Sequence, residues 1–304
     1  MDSRSSEMAV FVRVVETTSF TAAGKALQLT PSAVGKLVTR IEERLGVLLF
    51  QRSTRQMSLT PEGKQYYESC VRILDDIEEA EYDITQKTVA PHGRLRINVT
   101  LPFGTHQILP LVPEFQTRYP DITLDISLID ALSDLQKDQI DVAIRMGPLA
   151  DASFHARKLG ESRRAVVASP AYLRQYGVPK TPDDLAQHRC FSFNFKRSMD
   201  EWPFRIKKKS ISLPVSGGVL TNNGETMREL TLAGMGISRM AMFHVGPDIR
   251  SGKLIELLKE YNPGDLEEIH AIYSSQRYMP TRVRVFIDFL VEKLQDVLRP
   301  DAYD

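Results

Sequence analysis

The sequence predicts an α+β multidomain protein, with a small helical domain at the front, one long helix after it, and an α/β domain behind. Three observations predict this. Apolar residues keep a helical spacing over the first 45 positions, then recur at alternating steps of four and three between residues 66 and 84. From residue 95 onwards, strand patterns alternate with helix patterns. A chain of 304 residues is long enough for two or three separate cores.

The composition is that of an ordinary globular protein, with 42% hydrophobic and 26% charged residues. No stretch of 18 apolar residues is present, and the start of the chain lacks the pattern of a signal peptide. We therefore expect a cytoplasmic location and no membrane partner. The two cysteines, Cys70 and Cys190, are far apart in sequence, which suits a reducing compartment.

The first 46 residues predict three helices. The first carries Met8, Phe11, Val12 and Val15, and the second runs through Leu27 with Ser19 or Thr21 as its cap. Gln28 and Leu29 form a tight connection. Thr30 then caps a third helix that begins at Pro31 and stops at Gly46. Its buried stripe consists of Val34, Leu37, Val38, Ile41 and Leu45.

A small hairpin is predicted next, in the stretch "VLLFQRSTRQMSLT". One strand would run from Leu48 to Phe50, and the chain would return through Met57 and Leu59. Arg52 and Arg55 flank the turn. Helix, tight turn, helix and basic hairpin in series are the layout of a winged helix-turn-helix.

The polar side of the third helix has two interpretations, a plain solvated surface or a surface that faces DNA. Residues 1–65 carry nine Lys/Arg and six Asp/Glu, an excess of three positive charges. The major groove of DNA admits one helix, whose first turns read base edges. The winged layout favours DNA, and the predicted DNA-binding residues are Thr21, Thr30, Pro31, Ser32, Gly35, Lys36, Arg40, Arg52 and Arg55.

The long helix begins at Thr60-Pro61-Glu62, and its apolar residues follow a heptad spacing. They are Tyr66, Cys70, Ile73, Ile77, Ala80 and Ile84. Because so little of the chain is available to cover this seam, we expect a helix from a second copy to cover it. The stretch "VAPHG", residues 89–93, marks a linker.

The rear domain is predicted to be a parallel α/β sheet. Its strands are read in "LRINVTL", "ITLDISL", "IDVAI" and "IHAIY". Helices are expected after the first strand, near Leu132–Leu135 and at Thr281–Leu298. A second block of alternating elements begins near Val166 and includes Ala171–Tyr176, Cys190–Phe193, Gly224–Gly234 and Leu254–Leu258.

The stretch Ser19–Gly63 resembles the DNA-binding domain of the LysR-type transcriptional regulators. The match includes Phe20, Ala22, Ala23, Leu27, Ser32, Val34, Ile41, Glu42, Leu45, Gly46, Leu49, Phe50, Arg52, Leu59, Thr60, Pro61 and Gly63. Two positions depart from the family pattern: Gly35 stands where serine is common, and Lys36 where arginine is common. A lysine lacks the bidentate fork of arginine.

The resemblance extends more loosely to the C-terminus, through "GRLRINVTLPFG", "DVAIRMGPLADASFHARKLG" and "LAGMGISRMAMFHVGPDIRSGKLIELL". It implies a domain similar to a type 2 periplasmic-binding protein, with an effector cleft between two subdomains. The implied boundaries are 1–60 for the winged helix-turn-helix, 61–91 for the linker and dimerisation helix, and 92–304 for the effector domain. Subdomain I comprises 92–163 and 268–304, and subdomain II comprises 164–267.

A cleft at strand C-termini is where an α/β fold binds small ligands. The loops at these ends predict effector contacts from Thr100, Leu101, Pro102, Phe103, Leu128, Arg145, Phe193, Asn194, Thr221, Asn222 and Asn223. For each of these residues, ordinary loop or cap chemistry is an equal alternative, and for Arg145 we slightly favour a structural ion pair. A carboxylate or an aromatic compound is the expected effector class.

The resulting hypothesis is a homo-oligomeric, sequence-specific regulator that binds double-stranded DNA at a promoter site of two-fold symmetry. The resemblance adds a dimer of dimers, and RNA polymerase is a further expected partner. A solute-binding protein and an enzyme remain as alternatives. The six histidines show no metal-ligand spacing, and no catalytic constellation or cofactor motif is present, so we expect no catalytic residues, metal or cofactor. Cys190 lies roughly where peroxide-sensing relatives keep a reactive thiol, although core packing is the favoured interpretation.

Overall fold

The computed structural model describes residues 4–52, 57–85, 90–130, 140–148, 154–194, 201–274 and 279–299. The chain divides into two compact units, Met1–Val89 and Ala90–Asp304. None of the helices in these ranges combines the length and the hydropathy that a membrane span needs. The predicted helix at Leu132–Leu135 lies outside the described residues.

The front unit has the predicted order of elements. They are α1 (Arg4–Thr17), α2 (Phe20–Leu27), α3 (Pro31–Leu45), β1 (Phe50–Arg52), β2 (Met57–Leu59) and α4 (Pro61–Thr85). The Ser19 hydroxyl caps α2 by accepting the Ala22 N–H at 3.2 Å, and the Thr30 hydroxyl caps α3 by accepting the Ala33 N–H at 3.2 Å. Between them, Gln28 adopts the left-handed conformation that ends α2.

The core of the front unit is built mainly from one face of each helix. Phe11, Val34, Val38 and Ile41 are fully or almost fully buried. The prediction that Leu45 belongs to this core is wrong, because its side chain is 39% exposed. Gly46 turns the chain back immediately after it, so the last turn of α3 extends beyond the packed layer.

The prediction that α4 has too little of its own chain to cover it is wrong for its first turns. Cys70 is fully buried in the core of the front unit, and the Tyr66 ring lies 5.2 Å from the Phe11 ring, centroid to centroid. Ile73 and Ile77, further along, are half-buried. The seam that is open to a partner therefore begins about three turns into α4.

Gly63 fixes how α4 docks on the hairpin. A Cβ atom at this position would lie 2.0 Å from the Leu49 carbonyl oxygen. The Thr60 hydroxyl donates to the Leu48 carbonyl at 2.7 Å and accepts the Gly63 N–H at 2.9 Å. Only glycine permits this approach of the two backbones.

The rear unit contains the remaining elements. Its helices are α5 (Leu101–Phe103), α6 (Val112–Arg118), α7 (Pro170–Tyr176), α8 (Gly224–Leu232), α9 (Met242–Arg250) and α10 (Thr281–Leu294). Its strands are β3 (Gly93–Val99), β4 (Ile122–Leu128), β5 (Val142–Met146), β6 (Phe154–Ala168), β7 (Ser192–Phe193), β8 (Glu201–Ile206), β9 (Lys209–Pro214), β10 (Leu220–Thr221), β11 (Ile237–Ala241), β12 (Ile255–Leu257) and β13 (Leu266–Ser274).

The prediction of a parallel sheet is only partly right. Among the described residues, a seven-stranded sheet has the order β11-β6-β13-β5-β3-β4, with β12 also paired to β6. Within the described part of this sheet, the pairs β3–β4 and β3–β5 are parallel and the other pairs are antiparallel. The alternation of strands and helices shows which element lies between two strands in the sequence. It does not determine which strands are neighbours in the sheet or whether they are parallel.

One long strand, β6, changes its pairing partners along its length. Its residues from Phe154 to Arg163 pair with β13, and its residues from Arg164 to Ala168 pair with β11, with β12 on the other edge near the end. Two ion pairs mark the change of partner: Arg163 to Glu256 and Arg164 to Glu267, each at 2.7 Å.

The contact at Gly63 gives a stability prediction. Gly63→Ala should destabilise the front unit by at least ~2 kcal/mol, because the backbone of Leu49 cannot move away without disturbing the hairpin. Gly35→Ala is the matched control. A Cβ atom there meets nothing within 4 Å, and alanine favours a helix by about 1 kcal/mol. Thermal unfolding followed by circular dichroism measures both, and equal midpoints for the two variants would contradict the prediction.

Candidate DNA-binding face and effector cleft

The start of α3 presents a polar surface. Pro31, Ser32, Lys36 and Arg40 are exposed, and the space in front of Gly35 is open. Thr30 is exposed as the cap of α3, and Thr21 is exposed in the first turn of α2. Six of the predicted DNA-binding residues therefore border one stretch of helix, from Thr30 to Arg40.

This surface is held in place by a buried carboxylate on α1. Glu7 is only 7% exposed, and its two oxygens contact Arg44 at 3.1 Å and Arg40 at 3.5 Å. Arg40 thus has a structural partner as well as an exposed position. A carboxylate paired with two guanidinium groups fixes the rotation of α3 on α1.

A second buried carboxylate joins α3 to the hairpin. Glu42 Oε1 accepts the N–H of Leu49 at 2.8 Å and the N–H of Phe50 at 3.3 Å. These two hydrogen bonds hold the start of β1 against the end of α3. Arg52 is the last residue of β1, and Arg55 lies outside the described residues.

In the rear unit, Thr100 lies between β3 and α5. Its side chain is buried, at 3% exposure, and its hydroxyl has no hydrogen-bond partner among the described residues. An unpaired buried hydroxyl costs free energy, about 1–3 kcal/mol, so a ligand that pairs it binds with an advantage. Of the predicted effector residues, Thr100 is therefore the one whose surroundings most clearly favour a contact with a ligand.

The neighbours of Thr100 are mainly packing residues. Phe103 is fully buried, with its ring 5.1 Å from the Phe243 ring, so we assign it to the core and correct its assignment to the cleft. Pro102 is buried and lies 3.1 Å from the position that a Cβ atom of Gly224 would take. Leu101 and Leu128 are half-buried. α5 therefore contacts the start of α8.

Arg145 bridges strands in the sheet. Its guanidinium donates to the Asn98 side-chain oxygen at 2.5 Å and to the Ile144 carbonyl at 3.0 Å. These contacts agree with the structural role that the sequence analysis slightly favours for Arg145.

The other predicted effector residues lie in one loop and one short strand pair, β7 with β10. Thr221 and Asn223 hydrogen-bond to each other, and Asn223 caps α8 by accepting the Thr226 N–H at 2.8 Å. Asn222 and Asn194 are exposed, whereas Phe193 is half-buried. Asn222 and Asn194 are therefore accessible to an effector, although the Asn222 side-chain oxygen already accepts a hydrogen bond from Asn223 at 2.9 Å, and Thr221 and Asn223 shape the loop.

Sequence patterns missed a cluster of two histidines and one carboxylate. Glu225 Oε2 lies 2.9 Å from His106 Nε2 and 2.8 Å from His244 Nε2, and the two imidazole centroids are 4.9 Å apart. His106 follows α5, whereas Glu225 lies in α8 and His244 in α9. These residues are far apart in sequence, so no spacing motif reveals them.

Electrostatics in the cluster favour a charged carboxylate. Burial alone would raise the pKa of Glu225, but the contacts with His106 and His244 outweigh it and hold that pKa well below its usual range. Burial lowers the pKa of His244, although Glu225 partly opposes this shift. Arg228 donates to Glu225 Oε1 at 3.1 Å and pairs with Asp248 at 2.6 Å.

Two family models match this chain. Residues 5–64 match the bacterial regulatory helix-turn-helix protein of the lysR family, and residues 89–295 match the LysR substrate binding domain. The chain belongs to the family of LysR-type transcriptional regulators. It carries the helix-turn-helix DNA-binding domain and the effector-binding domain of that family.

Individual relatives agree along almost the whole length. The HTH-type transcriptional regulator CrgA of Neisseria meningitidis serogroup C is 39% identical over 97% of this chain and 98% of its own. The solved structure of CrgA from Neisseria meningitidis has a TM-score of 0.65, covering 96% and 99% of the two chains. The full-length Vibrio cholerae virulence activator AphB, a member of the same family, is 25% identical with a TM-score of 0.60, covering 95% of this chain and 99% of its own.

The burial of both cysteines gives a prediction about this regulator. Burial raises the pKa of Cys190 to about 12 and the pKa of Cys70 to about 11. Neither side chain is exposed, so the thiolate form stays scarce at every pH below about 10. Ellman's reagent at pH 8 should find no reactive thiol in the native protein and two after denaturation. A fast-reacting native thiol would instead favour a redox role for Cys190.

Proposed function

We propose that this regulator binds promoter DNA as a homo-oligomer, with two α3 helices entering successive major grooves of a site with two-fold symmetry. The observation that carries this proposal is the exposed surface from Thr30 to Arg40, held rigid from behind by Glu7 and Glu42. A base-reading helix needs such a fixed orientation, because direct contacts tolerate little displacement.

Individual roles follow from chemistry and position. Lys36 donates to guanine O6 or N7, and Ser32 donates to a base edge or a phosphate. Gly35 allows the helix backbone to approach a thymine methyl group, since no other part of the described chain occupies the space in front of it. Thr21 and Arg52 are proposed as phosphate contacts that set the register of the protein on DNA, and Arg55 is proposed as a further contact.

Lys36→Ala should weaken specific binding by about 1–3 kcal/mol if Lys36 reads a base. The measurement is a gel shift on the upstream promoter region and on an unrelated duplex of equal length, at several salt concentrations. Lys180→Ala, an exposed lysine in the rear unit, is the control that removes one charge elsewhere.

The two roles of Lys36 give different results. A base contact lowers affinity only for the promoter, whereas a phosphate contact lowers it equally for both duplexes and reduces the salt dependence. Equal affinity of the wild-type protein for both duplexes, at every salt concentration, would contradict sequence-specific regulation.

We further propose that a small carboxylate or aromatic effector binds beside Thr100 and contacts Asn194 and Asn222 across the cleft. The unpaired hydroxyl of Thr100 supports this. Binding would change the relative orientation of the two subdomains, and so the geometry of the oligomer. Leu101, Leu128, Phe193 and Arg145 would line or brace this cleft.

Thr100→Val should stabilise the effector-free protein by about 1 kcal/mol, because it removes a buried hydroxyl without a partner. It should also abolish the thermal stabilisation that a screen of carboxylates and aromatics finds with the wild-type protein. Thr117→Val is the control, since Thr117 is exposed and donates to the Pro113 carbonyl. A destabilised Thr100→Val protein would show that its hydroxyl is already paired.

The remaining parts of the proposal concern assembly and setting. Half-buried Ile73 and Ile77 on α4 support pairing with a second copy, and a dimer of dimers is proposed on the family pattern. The protein would act in the cytoplasm, contact RNA polymerase at the promoter, and have no catalytic activity of its own.

A further inference from the structure

Going beyond the proposed regulatory function, we propose that His106, Glu225 and His244 form a binding site for a divalent transition metal ion such as Zn²⁺. Two imidazoles and one carboxylate are a donor set that zinc and ferrous iron both accept. The three donor atoms lie within 4.8 Å of one another.

The donor atoms converge on one point. Both Nε2 atoms face the same carboxylate oxygen, Glu225 Oε2, at 2.9 and 2.8 Å. Ligands of a tetrahedral zinc ion stand roughly 3.3 Å apart, given metal–ligand distances of about 2.0–2.1 Å. A small withdrawal of the carboxylate therefore opens the centre of the triad to an ion. Three protein ligands leave a coordination position for water.

The surroundings match those of a metal site. The other oxygen, Glu225 Oε1, accepts a hydrogen bond from Arg228, and Arg228 is itself held by the buried Asp248. Metal-binding carboxylates are oriented by such outer contacts. With neutral imidazoles, Arg228 and its three carboxylate partners Glu225, Glu229 and Asp248 carry a net charge of −2, which a divalent cation neutralises.

The backbone at His106 is shaped to present its side chain. Residues Gly104–Ile108 form one π-helical turn between α5 and a short 3₁₀ turn. Pro110 has no N–H to donate to the His106 carbonyl, which explains why the regular helix is interrupted here. His106 and Glu225 keep 23% and 22% side-chain exposure, which gives an ion access, while His244 is buried at 3%.

The position of the site gives it a mechanical consequence. His106 follows β3 and α5 of the first subdomain, whereas Glu225 begins α8 and His244 lies in α9 of the second. A bound ion would join the two subdomains through coordinate bonds, next to the contact between Pro102 and Gly224. Metal binding would therefore stabilise one relative orientation of the subdomains.

The test uses the full-length protein, stripped with a chelator and titrated with Co²⁺ and with Zn²⁺. We expect one Co²⁺ per chain, with visible d–d bands and no thiolate band, because both cysteines are buried. Zn²⁺ at about 100 times its Kd should raise Tm by roughly 5–10 °C. His106→Phe should abolish binding, and Glu225→Gln should weaken it tenfold or more. His155→Ala, which removes an exposed histidine in the same unit, should bind as the wild type does.

Three results would overturn the proposal: no saturable binding by the wild-type protein, binding retained in His106→Phe, or equal loss in His155→Ala. Circular dichroism of the metal-free variants establishes whether they are folded. Should His106→Phe fail to fold, histidine modification by diethylpyrocarbonate decides on the wild-type protein. Zn²⁺ must then protect His106 and leave His155 reactive, and equal modification of His106 with and without Zn²⁺ would refute the site. Promoter binding is measured separately, so failure of the metal site leaves the regulatory proposal standing.

Discussion

Two buried carboxylates determine how the recognition helix stands in the front unit. Glu7 ties α3 to α1 through Arg44 and Arg40, and Glu42 ties its last turn to the first residues of β1. Both are charged groups below 10% exposure, and each has partners that offset its desolvation. Because these contacts act from the back of α3, its front is left for recognition. The packing of the front unit and its proposed function therefore depend on the same pairs.

The rear unit has a similar arrangement at one junction, where α5 and the π-helical turn after it pack against α8 and α9. Phe103 packs on Phe243, and Gln107 donates to the Phe243 carbonyl at 3.0 Å. These buried contacts place His106 opposite Glu225 and His244. The junction thus combines an apolar contact, which resists separation, with a polar cluster whose bonds an ion or a proton would alter.

The features that the sequence made predictable are those that depend on neighbouring residues, such as the ends of helices. Thr30, Pro31 and Gly46 mark the ends of α3 because caps and stops act within one turn, and the structure confirms these ends. The exposure of Leu45 depends on where the chain turns after the helix, which its spacing does not record. The antiparallel pairing of β13 and the His106–Glu225–His244 cluster depend on contacts between distant parts of the chain. Periodicity has no information about such pairs, so the sequence indicated the face of α3 well and the junction of the rear unit poorly.

One continuous strand, β6, pairs first with β13 and then with β11, so its backbone joins two parts of the sheet and limits how they can move. Two parts of a protein that are joined only by loops can move in many directions, whereas two parts that share a strand are restrained mainly to twisting about it. A rotation of these two parts against each other would change the twist of β6 near Arg163 and Arg164, where its partner changes, or break its hydrogen bonds to β13 or β11. An effector at the cleft would therefore act against a strand that resists bending but can twist. Its binding would rotate one part of the sheet relative to the other about β6.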